Sequence, residues 1–460
     1  MGAILAVSLF LAQSPRDRLA EAVRESNFQN AQEAISDIAD LDGKVAARVL
    51  VYALPRARDR MDALLKATVG ARQAYDNIDT SFAFNLEEEK MKQKALAQAK
   101  LRIQEACKAA IEGEKVYDAI RTAFGKLKPE AAPVLATEAA RTLSWILKCE
   151  LYEGLVALKA EELVRPRIAP EREHPAVLAT VLAGSASEKA AEFLKHPQWQ
   201  VRVGALRGSA GRREAVAPIL DALDVPDLRF RNAAFDALGA LTETKLPNDP
   251  AVWHDWWKAN AGDFIAGTYR PEVKKELEGP RRTTFYDIPV ASSRVCFVID
   301  RSGSMRTDGR FDAAKKELRR LLEDLPDGAR VNILFFGGTT SLFVRTTRPL
   351  DRQARRDAAD FIERQLFEAG TDLYGALEKA LALVGSAESG VLREDGPDTI
   401  VVLSDGQATV GRLVDDELVA RVIARRGRYL RPVIHTVSLS AEAKSLQMLC
   451  DLTGGEYRTK

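Results

Sequence analysis

Unbroken runs of valine, isoleucine and leucine alternate with amphipathic helical segments over the last third of the chain. The apolar runs occupy 294–300, 330–336, 399–405 and 432–439, and helical patterns lie at about 311–324, 351–367, 373–385, 416–428 and 443–453. Strands that are apolar at every position are buried on both faces, which is typical of a mostly parallel sheet covered by helices. We therefore predict an α/β, doubly wound sheet domain over residues 294–460.

Carboxylates and hydroxyls cluster at the predicted ends of these strands. Asp300 ends the first strand, and Asp405 ends the strand 399–405. Ser302 and Ser304 follow Asp300, and Thr371 lies in the loop 368–377. In open parallel sheets, ligands bind beyond the carboxyl ends of the strands. Two carboxylates and three hydroxyls without a soft ligand suit a hard cation, and we predict Mg²⁺ with Mn²⁺ as an alternative.

Three sequence segments carry a family resemblance. FVIDRSGSM, AGTDLYGAL and LSDGQATVG resemble the three loops of the metal-ion-dependent adhesion site in von Willebrand factor A domains. The resemblance covers about 294–460 and implies a Rossmann-like sheet with an intact set of five metal ligands. It also implies that an open position on the metal accepts a carboxylate from a partner protein.

Several neighbours of the predicted ligands have expected roles. Gly303 is expected to let the backbone turn tightly enough to direct both serine hydroxyls at one point. Met305 and Arg306 are expected to shape the rim that a partner meets, with Gln407 and Thr409 as further candidates. We predict that Asp372 caps the following helix instead of serving as a sixth ligand.

The first two thirds of the chain are predicted to be all-α. Residues 86–123 lack proline and should form one or two long helices. HPQWQVRVGAL at 196–206 aligns with VPDLRFRNAAF at 225–235, with Pro197 matching Pro226 and Arg202 matching Arg231. A repeat of paired helices indicates an α-solenoid, and its pattern resembles HEAT repeats.

The segment after the repeats is rich in tryptophan. Asp249 is predicted to cap a helix on which Trp253, Trp256 and Trp257 share one face. We interpret these side chains as a hydrophobic lid over the last repeat instead of a ligand-stacking site. The predicted organisation is a signal peptide at 1–14, a helical region at 15–130, a HEAT-like solenoid at 131–262, a linker at 263–293 with one extended segment at 284–290, and the sheet domain at 294–460.

The N-terminal sequence MGAILAVSLFLAQS predicts the location of the protein. A short apolar run followed by charged sequence resembles a secretory signal peptide, although no basic residue precedes it. The run is too short for a transmembrane span. We expect export to the periplasm or cell surface. The alternative is a cytoplasmic protein whose first helical turn is apolar.

Composition and charge argue against nucleic-acid binding and against a cysteine-based zinc or redox site. The formal net charge of +1 and the absence of an aromatic–basic face argue against nucleic-acid binding. Cys107, Cys149, Cys296 and Cys450 show no spacing typical of a zinc site or redox pair. We predict a non-enzymatic adaptor that grips an acidic residue of a partner through Mg²⁺ and offers a second protein-binding surface on its helical repeats.

Two alternatives stay open. One is an assembly factor or co-chaperone that works with an AAA+ ATPase. The other is a metal-dependent hydrolase, which is disfavoured because no Walker lysine motif or histidine base accompanies the loops. Lys315 and Lys316 are expected to be surface charges.

Overall fold

The computed structural model describes residues 13–78, 80–81, 85–163, 173–184, 188–209, 211–225, 227–271, 283–405, 407–440 and 443–460. Most of the predicted signal peptide, part of the predicted linker, and Pro226 of the repeat alignment therefore lie outside the described residues. The chain divides into two compact units, one of residues 1–167 with 410–421 and one of residues 168–409 with 422–460. The domain boundaries proposed from the sequence remain predictions.

The first unit is built from helices. They are α1 (Pro15–Glu25), α2 (Phe28–Asp40), α3 (Gly43–Asp76), α4 (Leu86–Ala123), α5 (Ala132–Arg141) and α6 (Trp145–Ala157). The segment 86–123, for which the sequence predicted one or two long helices, thus forms a single helix. Helix α4 packs closely along α3. At Gly113 of α4 there is no room for a side chain, since a Cβ added there would lie 2.8 Å from Leu64 of α3. Apolar side chains of α3 and α4, such as Leu54 and Ile103, form much of the core.

A carboxyl group is buried inside this helical unit. Glu150 on α6 is almost fully buried and accepts a hydrogen bond from the Tyr117 hydroxyl on α4. Burial raises the pKa of Glu150 to about 7, an effect that the bond from Tyr117 partly offsets. The group therefore changes charge near neutral pH in the folded protein.

The second unit begins with further helices. They are α7 (Pro175–Gly184), α8 (Trp199–Ser209), α9 (Val216–Asp221), α10 (Leu228–Thr242) and α11 (Pro250–Ala266). Asp249 caps α11 by accepting a hydrogen bond from the amide of Ala251, as predicted. Trp253 is buried in the core of these helices, and Trp256 and Trp257 pack against that core. The interpretation of these side chains as packing residues is confirmed, whereas the HEAT-like repeat remains a prediction.

A short hairpin precedes the main sheet. Strands β1 (Thr284–Phe285) and β2 (Ile288–Pro289) pair antiparallel through a turn in which Tyr286 and Asp287 both have positive φ. Two such residues are typical of a tight two-residue hairpin turn. The single extended segment predicted at 284–290 is therefore wrong. Phe285 and Ile288 are fully buried and belong to the core of the sheet domain that follows.

The main sheet is mostly parallel. Its strands are β3 (Arg294–Asp300), β4 (Arg330–Phe336), β5 (Thr340–Leu342), β6 (Arg348–Pro349), β9 (Thr399–Ser404), β10 (Val433–Ser438) and β11 (Tyr457–Thr459), with the separate hairpin β7 (Gly385–Ser386) and β8 (Val391–Leu392). The strand order is β11-β10-β9-β3-β4-β5, and β6 also pairs with β4. The chain therefore leaves β3 in one direction across the sheet and returns to its other side at β9. The adjacent strands β3 and β9 therefore mark the topological switch point, and such sheets bind ligands beyond the carboxyl ends of the strands at this point.

Helices cover both faces of the sheet. They are α12 (Arg310–Asp324), α13 (Arg352–Glu363), α14 (Leu373–Val384), α15 (Asp416–Gly427) and α16 (Lys444–Thr453). Helices α12 and α13 share a core with Val295, Phe297 and Ile299 of β3. The alternating residues Cys296 and Val298 are also fully buried. The predicted fold class, helices followed by an α/β doubly wound sheet, is confirmed.

Charged side chains join helix α10 to the sheet at the edge opposite the strand ends. Arg229 of α10 donates to the backbone oxygen of Asp398 over 2.7 Å and to that of Arg431 over 3.0 Å. The Asp398 carboxylate accepts a 2.7 Å bond from Ser292. Burial lowers the pKa of Arg229 and raises that of Asp398, while each charge opposes the change in the other. These contacts hold the helices against the starts of β9 and β10.

None of the helices in the described ranges is long and apolar enough to cross a lipid bilayer.

Candidate metal centre

Asp300 stands at the switch point and is held from two sides. Its Oδ1 accepts a 2.7 Å bond from the amide of Ser302, and its Oδ2 accepts a 2.5 Å bond from the Ser404 hydroxyl. The bond to Ser404 follows from the strand register. Ile299 of β3 lies beside Leu403 of β9, so the next residue of each strand is also adjacent. The carboxylate is therefore fixed before any ligand arrives.

The ionised form of the Asp300 carboxyl is destabilised by burial in this position. Burial, with a smaller contribution from the nearby Asp405 carboxylate, raises the pKa of the Asp300 carboxyl to about 6, although the bonds from Ser404 and Ser302 lower it. Two acidic side chains are thus held close together in a protected place. A positive ion between them would offset this cost.

The serine turn connects the two aspartates. The Ser302 and Ser304 hydroxyl oxygens are 2.9 Å apart, and the Ser304 hydroxyl donates to Asp405 Oδ1 over 2.8 Å. Ser302 and Asp405 are buried, whereas Ser304 is exposed. Four of the five predicted ligands therefore form one connected group that reaches from the core to the surface.

Thr371, the fifth predicted ligand, is joined to this group through the loop after β9. Its amide donates to the Thr409 hydroxyl over 3.0 Å, and its backbone oxygen accepts a 3.0 Å bond from the Thr409 amide. Thr371 is buried. Thr409 thus positions the backbone of Thr371. Thr409 and Gln407 are also exposed, and their expected place at the rim remains a prediction.

The loop that carries Thr371 is anchored on both sides. Asp372 caps α14 by accepting a 2.9 Å bond from the Gly375 amide, so its predicted role as an N-cap is confirmed. A side chain at Gly375 would be incompatible with this cap, since a Cβ there would lie 2.3 Å from the Asp372 carboxylate. Glu368 accepts a 2.7 Å bond from Arg301 and pairs in the parallel sense with Ser302. The loop is therefore fixed to the serine turn.

Three expectations about the neighbours are wrong. Met305 is fully buried in the core of the domain, so it cannot form a rim. Gly303 has ordinary φ and a Cβ there would meet nothing within 4 Å, so the turn does not need glycine. Lys315 is buried and donates to the backbone oxygen of Glu363 over 3.1 Å. Its four-carbon stem allows a helix residue to pack inside and still satisfy its ammonium group.

The group of oxygen atoms fits a small hard cation. In an octahedron with metal–oxygen distances of about 2.1 Å, adjacent ligand oxygens lie roughly 3 Å apart. The Ser302–Ser304 and Ser304–Asp405 oxygen separations of 2.9 Å and 2.8 Å match this spacing. Within the described ranges, no cluster of three or more His, Cys, Asp or Glu side chains is suited to a metal, so the fit rests on hydroxyls combined with two carboxylates.

Two contacts of the site escaped the sequence analysis. One is the bond from Ser404 to Asp300, which depends on the pairing of β3 with β9. The other is the ion pair between Arg310 at the start of α12 and Asp405 Oδ2, with a separation of 3.1 Å. No sequence signal marks Arg310, because the pair joins residues distant in the chain. Ser404 stands beside Asp405 in the sequence motif, but the motif does not indicate which group its hydroxyl contacts.

Comparison with known proteins places this geometry in a family. Residues 295–407 match the family model described as "von Willebrand factor type A domain". This segment is a von Willebrand factor type A (VWA) domain. The match contains Asp300, the serine turn, Thr371 and Asp405, so the candidate centre lies within the VWA domain.

Curated relatives resemble only part of the chain. A UPF0353 protein of Mycobacterium sp. (strain KMS) is 31% identical over 218 residues, which are 46% of this chain and 59% of that protein. Human inter-alpha-trypsin inhibitor heavy chain H3 is 27% identical over 125 residues, which are 27% of this chain and 14% of that protein. The chain thus spans less than two thirds of the length of either relative.

Solved structures are similar to about a third of the chain. BatB, a conserved hypothetical protein from Bacteroides thetaiotaomicron, is 18% identical with a TM-score of 0.27 and covers 36% of this chain and 89% of its own. Proximal thread matrix protein 1 from the mussel byssus, described with a zinc-occupied MIDAS motif, is 15% identical with a TM-score of 0.28 and covers 36% of this chain and 40% of its own. At these identities neither similarity extends to function.

Proposed function

We propose that the protein is a non-enzymatic adaptor whose VWA domain binds one Mg²⁺ ion and, through it, a carboxylate of a partner protein. The ligands would be Asp300, Ser302, Ser304, Thr371 and Asp405. The observation that carries the proposal is the hydrogen-bonded series from Ser302 through Ser304 to Asp405, beside the buried Asp300 carboxylate. Mn²⁺ is the alternative ion, since it takes the same oxygen ligands.

The charges of the site support an anionic ligand. Asp300 and Asp405 together neutralise a divalent ion, and Arg310 adds a positive charge beside Asp405. A bound ion supplies a Lewis-acidic position for an oxygen atom from outside the chain. A carboxylate suits such a position better than a neutral group, because the hydroxyls of Ser302, Ser304 and Thr371 contribute no negative charge. The exposed side of Ser304 marks where a partner would approach.

The absence of an assigned catalytic base motivates the non-enzymatic part of the proposal. Arg310 is held by Asp405, and Lys315 is occupied by a backbone oxygen, so neither cation is poised to act on a substrate. General acid–base chemistry requires a group within hydrogen-bond reach of the reacting atoms. A test for turnover of a generic phosphoester with Mg²⁺ addresses this point, and turnover that Asp300→Ala abolishes would contradict it.

The decisive experiment is capture of partners from extracts of the source organism. The full chain is immobilised with Mg²⁺ or with EDTA, beside the variants Ser304→Ala and Thr307→Ala. Thr307 is an exposed hydroxyl residue in the same turn but outside the predicted ligand set, which makes it a matched control. Partners retained by wild type and Thr307→Ala with Mg²⁺, and lost with EDTA or Ser304→Ala, are expected. Identical sets of captured proteins in all conditions would contradict the proposal.

Three further elements remain predictions. The second protein-binding surface on the helical repeats would act beside the metal site. Export would require cleavage of the first 14 residues, which mass spectrometry of the mature N-terminus measures directly. The alternative role with an AAA+ ATPase predicts copurification with such an enzyme in the capture experiment.

A further inference from the structure

Arg306 is an exposed cation at the edge of the candidate metal centre. It lies two residues after Ser304, in the short helical turn Gly303–Gly309. Its guanidinium is stacked over the ring of Phe367, 4.9 Å from the ring centre. Such stacking orients an arginine while leaving its N–H groups available at the edge of the guanidinium plane.

The arginines on either side of Arg306 have carboxylate partners. Arg301 contacts Glu368 at 2.7 Å, and Arg310 contacts Asp405 at 3.1 Å. Within the ranges that the structure describes, no carboxylate lies within ion-pair distance of Arg306. Its charge is therefore directed to solvent, in contrast to the two neighbouring arginines.

Phe367 places this cation beside the metal loop. The adjacent residue Glu368 pairs with Ser302, and the Glu368 amide donates to the backbone oxygen of Arg301 over 2.9 Å. The Phe367 ring also packs against Phe311 on the core side, with ring centres 5.0 Å apart. The ring is thus packed on the core side, and its stacking with Arg306 places the guanidinium near the serine turn.

An apolar side chain continues this surface. Leu366 precedes Phe367 and is 74% exposed. A protein segment that pairs with Arg306 is large enough to cover this leucine as well, which a free small anion is not.

We propose that Arg306 is a second carboxylate-binding position and that the partner is an acidic protein segment with two nearby carboxylates. The inference rests on the proposed function, in which one carboxylate reaches the metal. The second carboxylate pairs with the Arg306 guanidinium, which is suited to bidentate contact. Arg306 is then a specificity-determining residue that distinguishes a doubly acidic segment from a single acidic residue.

Synthetic peptides test this inference without knowledge of the natural partner. The probes are capped glycine peptides with two glutamates separated by one, two or three glycines, each beside a counterpart with one glutamate changed to glutamine. Dissociation constants are measured for the full chain with Mg²⁺ and with EDTA. The variants are Arg306→Gln and Arg356→Gln, since Arg356 is an exposed arginine on α13 and gives the same loss of charge elsewhere in the domain.

The expected result is that at least one doubly acidic peptide binds wild type about fivefold more tightly than its counterpart, the size of a good exposed ion pair. Arg306→Gln should lose this preference and keep its Mg²⁺ affinity, whereas Arg356→Gln should keep both. Equal affinity of the paired peptides for wild type, including failure of both to bind, overturns the inference, as does a preference that survives in Arg306→Gln. Binding that EDTA does not change contradicts the proposed function instead.

Discussion

Replacement of Asp300 by asparagine should change stability in opposite directions with and without metal. Asparagine keeps the shape of the side chain and can still accept the bond from the Ser302 amide. Its NH₂ group would face the Ser404 hydroxyl, which is able to accept a hydrogen bond. The substitution therefore removes the negative charge while the contacts of the site can be retained.

The size of the effect follows from the pKa of Asp300. A rise from the ordinary value of 3.8 to about 6 corresponds to about 3 kcal/mol that disfavours the ionised form in the folded protein. Because the folded pKa is raised, the associated stability is present below pH 3.8 and is lost as the pH rises through 6. Without metal, Asp300→Asn should consequently be more stable than wild type at pH 7.5, by up to about 3 kcal/mol.

Metal should reverse the order. Mg²⁺ at about one hundred times its Kd stabilises a protein that binds it by roughly 2.7 kcal/mol. Wild type should gain this stability, and Asp300→Asn should not. A residue with only a structural role would instead lose stability on substitution, with or without Mg²⁺.

Urea unfolding followed by tryptophan fluorescence measures both effects. Four of the five tryptophans lie in residues 168–409, so the signal reports mainly on the unit that contains the sheet. The measurements compare EDTA with Mg²⁺ at pH 5 and 7.5, and the exposed Asp451 changed to asparagine serves as the control that should alter neither curve. The reasoning is refuted if Asp300→Asn is less stable than wild type in EDTA at pH 7.5, or if Mg²⁺ stabilises both proteins equally.

Three further changes test other parts of the structure. Because burial raises the pKa of Glu150, wild type should lose about 3 kcal/mol of stability as the pH rises from 4.5 through 7, and Glu150→Gln should not show this loss. A pH series of urea midpoints in which both proteins behave alike would contradict this expectation. Arg229→Met should destabilise the second unit by about 3–5 kcal/mol, since it removes the cation beside buried Asp398, and a change below about 1 kcal/mol in fluorescence-detected unfolding would disprove this role. Arg310→Gln should tighten Mg²⁺ binding by about tenfold or more in calorimetry, because a cation about 5 Å from a doubly charged ion repels it by roughly 1.7 kcal/mol even in water. Weaker binding would show that Arg310 instead orients Asp405 for the metal.

Local sequence patterns were sufficient to predict most of the sheet domain. Strands β3 and β4 agree with the segments 294–300 and 330–336, because a strand buried on both faces has an unbroken apolar sequence. The N-caps Asp249 and Asp372 were predictable because capping depends on residues within one turn of the helix. The grouping of Asp300 with Asp405 followed from a general property of parallel sheets, which place successive strand ends at one edge.

Contacts between distant segments could not be predicted in the same way. The bond from Ser404 to Asp300 requires the register of β3 against β9, which the apolar pattern alone does not specify. The pairing of Arg229 with the backbone of Asp398 joins a repeat helix to a strand 169 residues away. No local pattern distinguishes such a buried arginine from a solvated one.

Burial also corrected the roles assigned to side chains near the site. Met305 follows the metal loop in sequence, but the short helical turn directs it into the core while Arg306 remains exposed. Thr409 is exposed, and it also bonds to the backbone of Thr371, a contact that the sequence did not reveal. In such a turn, neighbouring residues face opposite environments, and the sequence does not reveal which of them is outside.

Calorimetric titration of Mg²⁺ into the full chain and into Asp405→Asn tests the central claim most directly. The account predicts one Mg²⁺ per chain for wild type, and an affinity at least about one hundredfold lower for the variant, because loss of even an indirect metal contact costs tenfold to about one hundredfold. Equal Mg²⁺ affinity in the two proteins, or no binding to wild type, would contradict a metal centre built on Asp300, Ser302, Ser304, Thr371 and Asp405.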